Sequence, residues 1–206
     1  DLVVLDKTGT ITIGKPELIE AKYSNNELQM AASIAVNSNH PLSKAICRAY
    51  TGDLLEINEV KELPGMGMQA LLDGQEARLG SANWCGNSSN KETETLELWL
   101  NLKGQKTCFK FIDSLRSDAK DVIKKIKKAG LEVSLLSGDS KPIVKEVAES
   151  LGISAYHAQL TPIEKFQYIE SMKKQGRRVL MVGDGLNDAP SLASASVSMS
   201  PSTAID

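Results

Sequence analysis

Three short, largely apolar runs lie at residues 2–5, 133–136 and 179–182. Each is followed at once by a turn that contains glycine and an acidic residue. Apolar runs of this length, bounded by turn residues, are typical of strands buried on both faces of a parallel sheet. The pattern therefore predicts three strands of one parallel sheet.

Helical periodicity fills the intervals around the second and third runs. Apolar residues recur every three or four positions over residues 118–129 and again over 143–151, and Gly130 and Gly152 follow them. A third helix begins at Thr161-Pro162-Ile163-Glu164, which combines a capping box with proline at the first helical position. Strands that alternate with helices of this length predict a Rossmann-like α/β domain.

Residues 15–111 follow a different pattern. The pattern predicts helices at 26–38 and from Pro41 onwards, short alternating segments at 55–63, 68–72 and 76–79, a further helix after the polar stretch 86–93, and a strand at 107–112. This mixture predicts an α+β domain inserted directly after the first strand. The expected division is 1–14 with 112–206 for the α/β domain and 15–111 for the insert.

Composition narrows the classes of function. The 206 residues carry a formal net charge of -2, so neither nucleic acid nor an anionic membrane surface is the expected partner. Cys47, Cys85 and Cys108 form no paired motif, which favours free thiols over a zinc site or disulfides. No apolar run reaches the roughly 18 residues of a membrane span, and no signal peptide precedes the first strand. A motif so near the first residue suggests an excised fragment.

The turns after the three strands contain the candidate chemistry. They read Asp6-Lys7-Thr8-Gly9-Thr10, Ser137-Gly138-Asp139 and Gly183-Asp184-Gly185. Because the carboxyl ends of parallel strands lie at one edge of a sheet, where ligands bind, these turns are expected to converge. The glycine and hydroxyl groups beside Asp6 can bring hydrogen-bond donors close to a phosphoryl group.

Asp6 alone would be interpreted as a turn-capping aspartate. Asp184 at the same edge changes this interpretation, because two carboxylates repel each other unless a cation such as Mg²⁺ lies between them. Lys165, in the first turns of its helix, would face the same edge and neutralise phosphoryl charge, although a single lysine is more often a surface residue. Together these residues predict a nucleophilic Asp6, with Mg²⁺ bridging it to the phosphate and Asp184.

Four motifs together resemble the signature set of the P-type ATPases within the haloacid dehalogenase-like fold. They are DKTGT at 6–10, SGD at 137–139, TPxxK at 161–165 and GDGLNDAP at 183–190. Their order and spacing also match, and the resemblance covers essentially the whole chain. It implies that Asp6 accepts the γ-phosphoryl group of ATP as an aspartyl phosphate, with Lys165 and Thr8 as further catalytic residues.

The resemblance also implies the remaining roles at this edge. Mg²⁺ would be bound by the Asp6 carboxylate, the Thr8 main-chain carbonyl and Asp184, with Asp188 in support. The phosphoryl group would be contacted by Thr8, Ser137, Gly138, Lys165 and Asn187. Asp139 would order the hinge and the approach of the nucleotide, and Asp113 and Arg116 would form the second hinge.

Thr8 separates two functional alternatives. In related phosphatases of this fold, the second residue after the nucleophile is an aspartate that acts as general acid and base. Threonine cannot act as such a base for water, so a phosphate on Asp6 is expected to persist until a separate domain hydrolyses it. The residue therefore favours a pump over a phosphatase.

In the insert, His40 precedes Pro41 at the start of a predicted helix, and Gly65 and Gly67 form a GxG sequence. A histidine here can simply cap the helix, and GxG can simply form a tight hairpin. Together with Gly80, however, these residues resemble the nucleotide-binding domain of the type IB, heavy-metal-transporting P-type ATPases. The resemblance implies that His40, Gly65, Gly67 and Gly80 line the adenine pocket.

The chain departs from that family at three positions. Ala35 stands where a glutamate is common, Ser81 where an asparagine often follows the third glycine, and Ser137 where the motif is usually TGD. The sequences SGD and GSANWC resemble the bacterial copper-exporting branch that supplies haem–copper oxidase assembly. Cu⁺ is therefore the expected cargo of the parent pump.

The expected function is ATP binding and autophosphorylation within such a pump, with ATP and Mg²⁺ as cofactors. The expected partners are ATP, the missing transmembrane and actuator domains, and a copper chaperone for the parent, but no nucleic acid. The parent is expected in a bacterial inner membrane, with this unit on the cytoplasmic side. Two alternatives stay open, namely a soluble phosphatase of the haloacid dehalogenase type and a nucleotide-binding module without turnover.

Overall fold

The structure, a computed structural model, describes residues 1–19, 22–72, 74–87, 95–184 and 188–201. Its backbone divides into two compact units. The α/β unit comprises Asp1–Gly14 and Asp113–Asp206, and the insert comprises Lys15–Ile112. The predicted fold class, a Rossmann-like α/β domain with an inserted α+β domain, is confirmed.

Eleven strands and six α-helices lie in the described part of the chain. The strands are β1 (Leu2–Asp6), β2 (Glu17–Leu18), β3 (Ile57–Leu63), β4 (Gly67–Leu72), β5 (Gln75–Gly80), β6 (Leu96–Leu102), β7 (Gln105–Ile112), β8 (Glu132–Leu136), β9 (Ala155–His157), β10 (Val179–Val182) and β11 (Val197–Met199). The helices are α1 (Asn25–Ala35), α2 (Pro41–Ala49), α3 (Ala119–Lys128), α4 (Lys141–Leu151), α5 (Pro162–Lys174) and α6 (Ala189–Ser194). None of these described helices combines the length and the apolar character that a bilayer crossing needs.

The sheet of the α/β unit has the strand order β11-β10-β1-β8-β9, and neighbouring strands are parallel. Every residue of β1 is buried, because apolar clusters cover both faces of the sheet. Val3 and Leu135 belong to the cluster that includes α3 and α4, whereas Val4 and Met181 belong to the cluster that includes α5. The three strands predicted from the apolar runs are confirmed as β1, β8 and β10.

The strand order reverses direction beside β1. From β1 the chain proceeds to β8 and β9 on one side, and then crosses to β10 and β11 on the other side. In open α/β sheets, ligands bind at the carboxyl ends of the strands where such a reversal occurs. Since β1 ends at Asp6 and Asp184 follows β10, the topology brings both predicted carboxylates to this position.

The insert contains a six-stranded antiparallel sheet in the order β2-β7-β6-β5-β4-β3. Its core combines Ile34 and Ile46 from α1 and α2 with Leu79, Leu100 and Phe109 from the strands. Buried residues alternate along β4 and β7, which is the pattern of a sheet that is covered on one face.

One predicted element is wrong. The helix expected after the polar stretch 86–93 is the strand β6, which pairs with β5 on one side and β7 on the other. Leu96, Leu98, Leu100 and Leu102 alternate with other residues along this segment. Leucine favours helices in isolation, but alternation with a period of two fits a strand that has hydrogen-bonding neighbours on both sides.

The packing of β4 against β5 requires glycine at position 67. Gly67 has a φ of 142°, and a Cβ on it would lie 2.3 Å from the carbonyl oxygen of Leu79 and 2.5 Å from the α-carbon of Gly80. We expect Gly67→Ala to lower the free energy of unfolding of the insert by about 4 kcal/mol, because backbone strain and steric overlap add. Urea denaturation followed by tryptophan fluorescence measures this loss, since both tryptophans, Trp84 and Trp99, lie in the insert.

Gly65→Ala is the matched control, two residues before Gly67 in the turn that joins β3 to β4. Gly65 has a positive φ of 75°, but no heavy atom lies within 4 Å of a Cβ placed on it. Only backbone strain acts there, so a loss of about 1 kcal/mol is expected. Equal losses in the two variants would contradict the steric explanation for Gly67.

Candidate functional site

Asp6, Lys165 and Asp188 form a buried ion cluster at the carboxyl edge of the parallel sheet. The Nζ of Lys165 lies 2.5 Å from Asp6 Oδ1 and 2.8 Å from Asp188 Oδ1. The three residues are 3%, 7% and 0% exposed, respectively. Asp6 is the last residue of β1, Lys165 is the fourth residue of α5, and Asp188 is the N-cap of α6. One ammonium group thus bridges two carboxylates that bulk water barely reaches.

The start of α5 fixes the direction from which Lys165 approaches Asp6. The hydroxyl of Thr161 accepts a hydrogen bond from the Glu164 N–H at 3.2 Å, and Glu164 Oε2 accepts one from the Thr161 N–H at 2.8 Å. Pro162 occupies the first position of the helix. The predicted capping box is confirmed, and it holds the first turn of α5 in place.

Asp184 lies against the turn that follows β1. A Cβ placed on Gly9, whose φ is 72°, would lie 3.4 Å from the Cβ of Asp184. The two predicted loops therefore converge at Gly9 and Asp184. Asn187, which was predicted to contact the phosphoryl group, lies outside the described residues, together with Gly185 and Leu186.

The cluster carries more negative than positive charge. Burial raises the pKa of Asp6 from its ordinary 3.8 to about 7; the charges of Asp188 and Asp184 add to this rise and that of Lys165 opposes it. Burial by itself would lower the pKa of Lys165, but the carboxylates of Asp6 and Asp188 outweigh burial and raise it. Lys165 is therefore protonated at neutral pH, and its one positive charge lies between the carboxyl groups of Asp6 and Asp188, with Asp184 beside the same turn.

This excess of negative charge suits a divalent cation. Asp188 Oδ2 is buried and has no hydrogen-bond partner among the described residues. Mg²⁺ at phosphoryl-transfer sites typically uses one or two carboxylates and completes its shell with water and phosphate oxygens. No group of three or more His, Cys, Asp or Glu side chains within the described ranges is arranged to hold a metal. A cation at Asp6 and Asp184 would thus take further ligands from the backbone, water or phosphate.

The other residues of the predicted phosphoryl site lie on the same turns. Thr8 and Gly138 are exposed, whereas Ser137 is buried and its hydroxyl donates to Asp139 Oδ2 at 3.0 Å. Asp139 Oδ2 also lies 2.7 Å from the Nζ of Lys7. The hydroxyl of Ser137 is thus engaged within its own turn, while Thr8 and Gly138 are open to a ligand.

The predicted second hinge holds the turn that follows Asp6. Arg116 donates hydrogen bonds to the carbonyl oxygens of Thr10 at 3.0 Å and Gly9 at 3.3 Å. Asp113 Oδ2 accepts a hydrogen bond from the buried hydroxyl of Thr12 at 2.6 Å. Sequence reasoning gave no role to Thr12, because a threonine inside a short turn has no pattern of its own that would indicate a distant partner.

In the insert, His40 is the N-cap of α2. Its Nδ1 accepts a hydrogen bond from the Leu42 N–H at 3.3 Å, which places the ring proton on Nε2. Burial lowers the pKa of His40, while the negative charge of Glu62 acts in the opposite direction. The ring is therefore neutral at pH 7. His40 therefore caps α2, in agreement with the simpler interpretation of this histidine. It is also exposed, so a ligand could reach it.

The three glycines of the predicted adenine pocket differ in their surroundings. Gly67 and Gly80 are partners in the pairing of β4 with β5. A Cβ on Gly80 would lie 2.2 Å from the carbonyl oxygen of Met66, so close backbone packing accounts for glycine at both positions. Gly65 has open space beside its α-carbon. That all three line an adenine pocket stays a prediction.

Two of the departures from the type IB pattern can also be placed. Ala35 is the last residue of α1 and is 0% exposed, so a ligand cannot touch it. Ser81 is exposed directly after β5, and its N–H donates to the carbonyl oxygen of Met66 at 2.9 Å. Of the two, only Ser81 is open to a nucleotide.

Comparison with known proteins places the chain in a family. Residues 1–196 match the model of the haloacid dehalogenase-like hydrolases. Nitrogen fixation protein FixI of Rhizobium meliloti (strain 1021) is 40% identical over 208 residues, which cover 100% of this chain and 28% of FixI. The probable copper-transporting ATPase PacS of Synechocystis sp. is 33% identical over 232 residues, which cover 99% of this chain and 31% of PacS. The chain thus spans less than a third of the length of these curated relatives.

A solved structure shows the same architecture over the whole chain. The catalytic CPx-ATPase domain CopB-B has a TM-score of 0.85 and 32% sequence identity, and the match covers 100% of this chain and 79% of that one. These matches agree with the charged cluster at the carboxyl edge of the sheet. The chain therefore belongs to the haloacid dehalogenase-like hydrolases and, within them, to the catalytic domains of the heavy-metal, CPx-type P-type ATPases.

Proposed function

We propose that this chain binds ATP through its insert and accepts the γ-phosphoryl group on Asp6, as the catalytic part of a longer cation pump. The observation that carries the proposal is the buried cluster in which Lys165 bridges Asp6 and Asp188, with Asp184 beside the same turn. The cluster lies where the strand order reverses, which is the usual ligand position in open α/β sheets.

Asp6 is the nucleophile in this proposal. One of its carboxylate oxygens attacks the γ-phosphorus, the bond from that phosphorus to the β–γ bridging oxygen breaks, and ADP leaves with the bonding electrons. Because Asp6 is only 3% exposed, bulk water competes poorly for the same phosphorus. With a pKa of about 7, Asp6 is only partly ionised at neutral pH, and further positive charge beside it would favour the carboxylate that attacks.

Lys165 supplies fixed positive charge rather than a base. Since Asp6 and Asp188 raise its pKa, the ammonium group keeps its protons and offsets the negative charge that develops on the phosphoryl oxygens. Asp188 holds that ammonium from the other side, at 2.8 Å. Mg²⁺, bound by Asp6, Asp184 and the main-chain carbonyl of Thr8 with Asp188 in support, would supply further charge neutralisation and align the phosphate.

Thr8 favours a persistent aspartyl phosphate. Its side chain is exposed two residues after Asp6 and carries no carboxylate that could activate water. Hydrolysis of the phosphate therefore depends on a group from elsewhere in the parent protein. The similarity to P-type ATPases and to the catalytic CPx-ATPase domain agrees with a persistent aspartyl phosphate, and the phosphatase alternative is not favoured.

The N-terminal end of α2 is the proposed position of the adenine base. His40 offers a neutral ring there, and planar bases stack on aromatic rings without needing a specific hydrogen-bond pattern. Gly65, in the turn before β4, leaves open space in which a flat ring could approach the backbone.

The variant His40→Asn separates base stacking from helix capping. Asparagine is a strong N-cap residue, so α2 keeps its start while the aromatic ring is lost. We expect the affinity for ATP to fall about tenfold, which is the typical worth of one aromatic stack, at an unchanged melting temperature. Isothermal titration calorimetry with MgATP measures the affinity, and thermal denaturation monitors the fold.

The companion variant His40→Ala removes the ring and the cap together. It is expected to show the same loss of affinity and to lose about 1 kcal/mol of stability in addition. Wild-type affinity in His40→Asn, with lower stability in His40→Ala, would mean that His40 only caps the helix.

The parent protein is proposed to be a membrane pump that exports a heavy-metal cation, with Cu⁺ as the favoured cargo. PacS, at 33% identity, is described as a probable copper-transporting ATPase. The transmembrane and actuator domains of the parent would be covalent partners of this unit, and a copper chaperone would serve the parent. The described unit would then lie on the cytoplasmic side of the membrane.

Acid-quenched labelling tests the proposed function. The chain is incubated with Mg²⁺ and ATP labelled in its γ-phosphate, quenched in acid, and then treated with hydroxylamine, which cleaves acyl phosphates. We expect acid-stable label that hydroxylamine releases. Nucleotide binding without label would leave only a binding module, and rapid hydrolysis of small phosphomonoesters would favour a phosphatase.

A further inference from the structure

We infer that Glu62 accepts a hydrogen bond from the 6-amino group of adenine and thereby selects ATP over GTP. The inference rests on the proposed function, because it names the residue that would recognise the base at the proposed nucleotide site. It starts from the position of Glu62 near the end of β3, beside the segment that carries His40.

Ser38 links Glu62 to that segment. Its hydroxyl donates to Glu62 Oε1 at 3.1 Å and accepts a hydrogen bond from the His40 N–H at 3.1 Å. Ser38 is only 8% exposed, so water competes little for either hydrogen bond. Two separate elements, β3 and the segment before α2, are thus fixed side by side, with a carboxylate on one and an imidazole ring on the other.

Glu62 keeps acceptor capacity for a ligand. The residue is exposed, and its hydrogen bond with Ser38 uses Oε1. Within the described ranges, no lysine, arginine or histidine forms an ion pair with it. A carboxylate held in place and not neutralised by a protein cation is suited to a ligand that donates hydrogen bonds.

The chemistry of the purine bases then decides which nucleotide is preferred. Adenine carries an amino group at position 6, which donates, whereas guanine carries a carbonyl oxygen there, which only accepts. A carboxylate attracts the first and repels the second, and a site built to pair with a donor rejects an analogue that lacks it. Gly65, three residues after Glu62 in the hairpin turn at Leu63–Met66, has open space beside its α-carbon for the ring itself.

Nucleotide titrations of the full chain test the inference. The affinities for MgATP and MgGTP are measured by calorimetry for the wild type, Glu62→Gln and Glu56→Gln. We expect the wild type to bind ATP more tightly than GTP, and Glu62→Gln to bind ATP about tenfold more weakly. The ratio of ATP affinity to GTP affinity should fall at least about tenfold in Glu62→Gln, because an amide can donate a hydrogen bond to the guanine oxygen. Glu56, exposed just before β3, allows the same change of charge away from His40, so both affinities should stay at the wild-type values.

Ser38→Ala gives an independent readout, since it removes the hydrogen bond that holds Glu62 in place. It should also lower the ratio of ATP affinity to GTP affinity. Equal wild-type affinities for ATP and GTP, an unchanged ratio in Glu62→Gln, or an equal narrowing in Glu56→Gln would overturn the inference. Binding of neither nucleotide by the wild type would instead overturn the proposed function, and the inference with it.

Discussion

Replacement of Asp6 by asparagine is expected to reduce hydroxylamine-labile labelling at least about a thousandfold, to the background level. The amide has nearly the size of the carboxylate, but its oxygen does not attack phosphorus. ATP affinity should stay at the wild-type value, because the proposed base site at His40 lies on the insert. Acid-quenched labelling and calorimetry, performed on the same preparation, measure the two quantities. Labelling of Asp6→Asn at the wild-type level would contradict the assignment of the nucleophile.

The same substitution has an effect on stability whose sign follows from the pKa of Asp6. Without Mg²⁺, the carboxyl has a pKa of about 7 in the folded chain and an ordinary value of 3.8. Between these values the folded chain keeps a proton that the unfolded chain has released, so the free energy of unfolding falls as pH rises from about 4 to about 7.

Asp6→Asn removes that titration. The pH dependence of the free energy of unfolding should become shallower in this window, and the variant should be more stable than the wild type at about pH 8. Urea denaturation across a pH series in Mg²⁺-free buffer measures the free energy of unfolding of both proteins. Asp121→Asn, at an exposed position of α3, is the control and should keep the wild-type slope. If Asp6→Asn were less stable than the wild type at about pH 8, the negative charge of Asp6 would already be compensated by Lys165 in the folded chain, which would contradict this prediction.

Replacement of Lys165 by methionine is expected to have the second largest effect. It leaves Asp6 and Asp188 buried without their ammonium partner, which should cost about 3–5 kcal/mol of stability at pH 8. The cost should be smaller at about pH 5, because the carboxyl groups can then bind protons and become neutral. The rate of phosphorylation should fall about a hundredfold or more, since a fixed charge on the phosphoryl oxygens is lost. Denaturation at both pH values and rapid-quench labelling measure these effects.

Two further variants separate the roles of Lys165. Lys174→Met, on the same helix, removes an exposed positive charge and should change stability by less than about 1 kcal/mol, with unchanged labelling. Lys165→Arg keeps the charge, and so should restore stability more than it restores the rate. A wild-type labelling rate in Lys165→Met would mean that the lysine only neutralises Asp6 and Asp188.

The strands of the α/β unit were predictable because their patterns are unambiguous. β1, β8 and β10 contain short, largely apolar runs, and a parallel sheet buried on both faces selects for such runs. The strand β6 was not predicted, because leucine is common in helices and its alternation shows only when each residue is assigned to a face of the sheet. The pairing of β6 with β5 and β7 depends on segments that are separate from it in sequence.

The candidate site also contains residues that the sequence could predict and contacts that it could not. Asp6, Lys165, Asp184 and Asp188 lie in motifs, and a parallel sheet brings the ends of its strands together, so their approach could be anticipated. The hydrogen bond between Thr12 and Asp113 joins residues 101 positions apart. No local pattern around a threonine indicates such a partner, and it becomes visible only in the folded chain.

Glycines show a different limit of sequence reasoning. A GxG sequence is compatible with a ligand that approaches the backbone and with two strands that pack closely. The structure gives Gly67 a packing role, since a side chain there would overlap Leu79 and Gly80, and leaves Gly65 open. The sequence cannot distinguish these roles, because the same residue type meets both physical requirements.

Reductive trapping of the phosphorylated chain tests the central proposal most directly. The chain is treated with MgATP, quenched, and exposed to borohydride, which reduces an acyl phosphate to an alcohol and so converts a phosphorylated aspartate to homoserine. Peptide mass spectrometry then locates the converted residue. The proposal predicts homoserine at position 6, formed only when ATP and Mg²⁺ are both present. Conversion at another carboxylate instead of Asp6, or ATP-dependent label without conversion at Asp6, would contradict it.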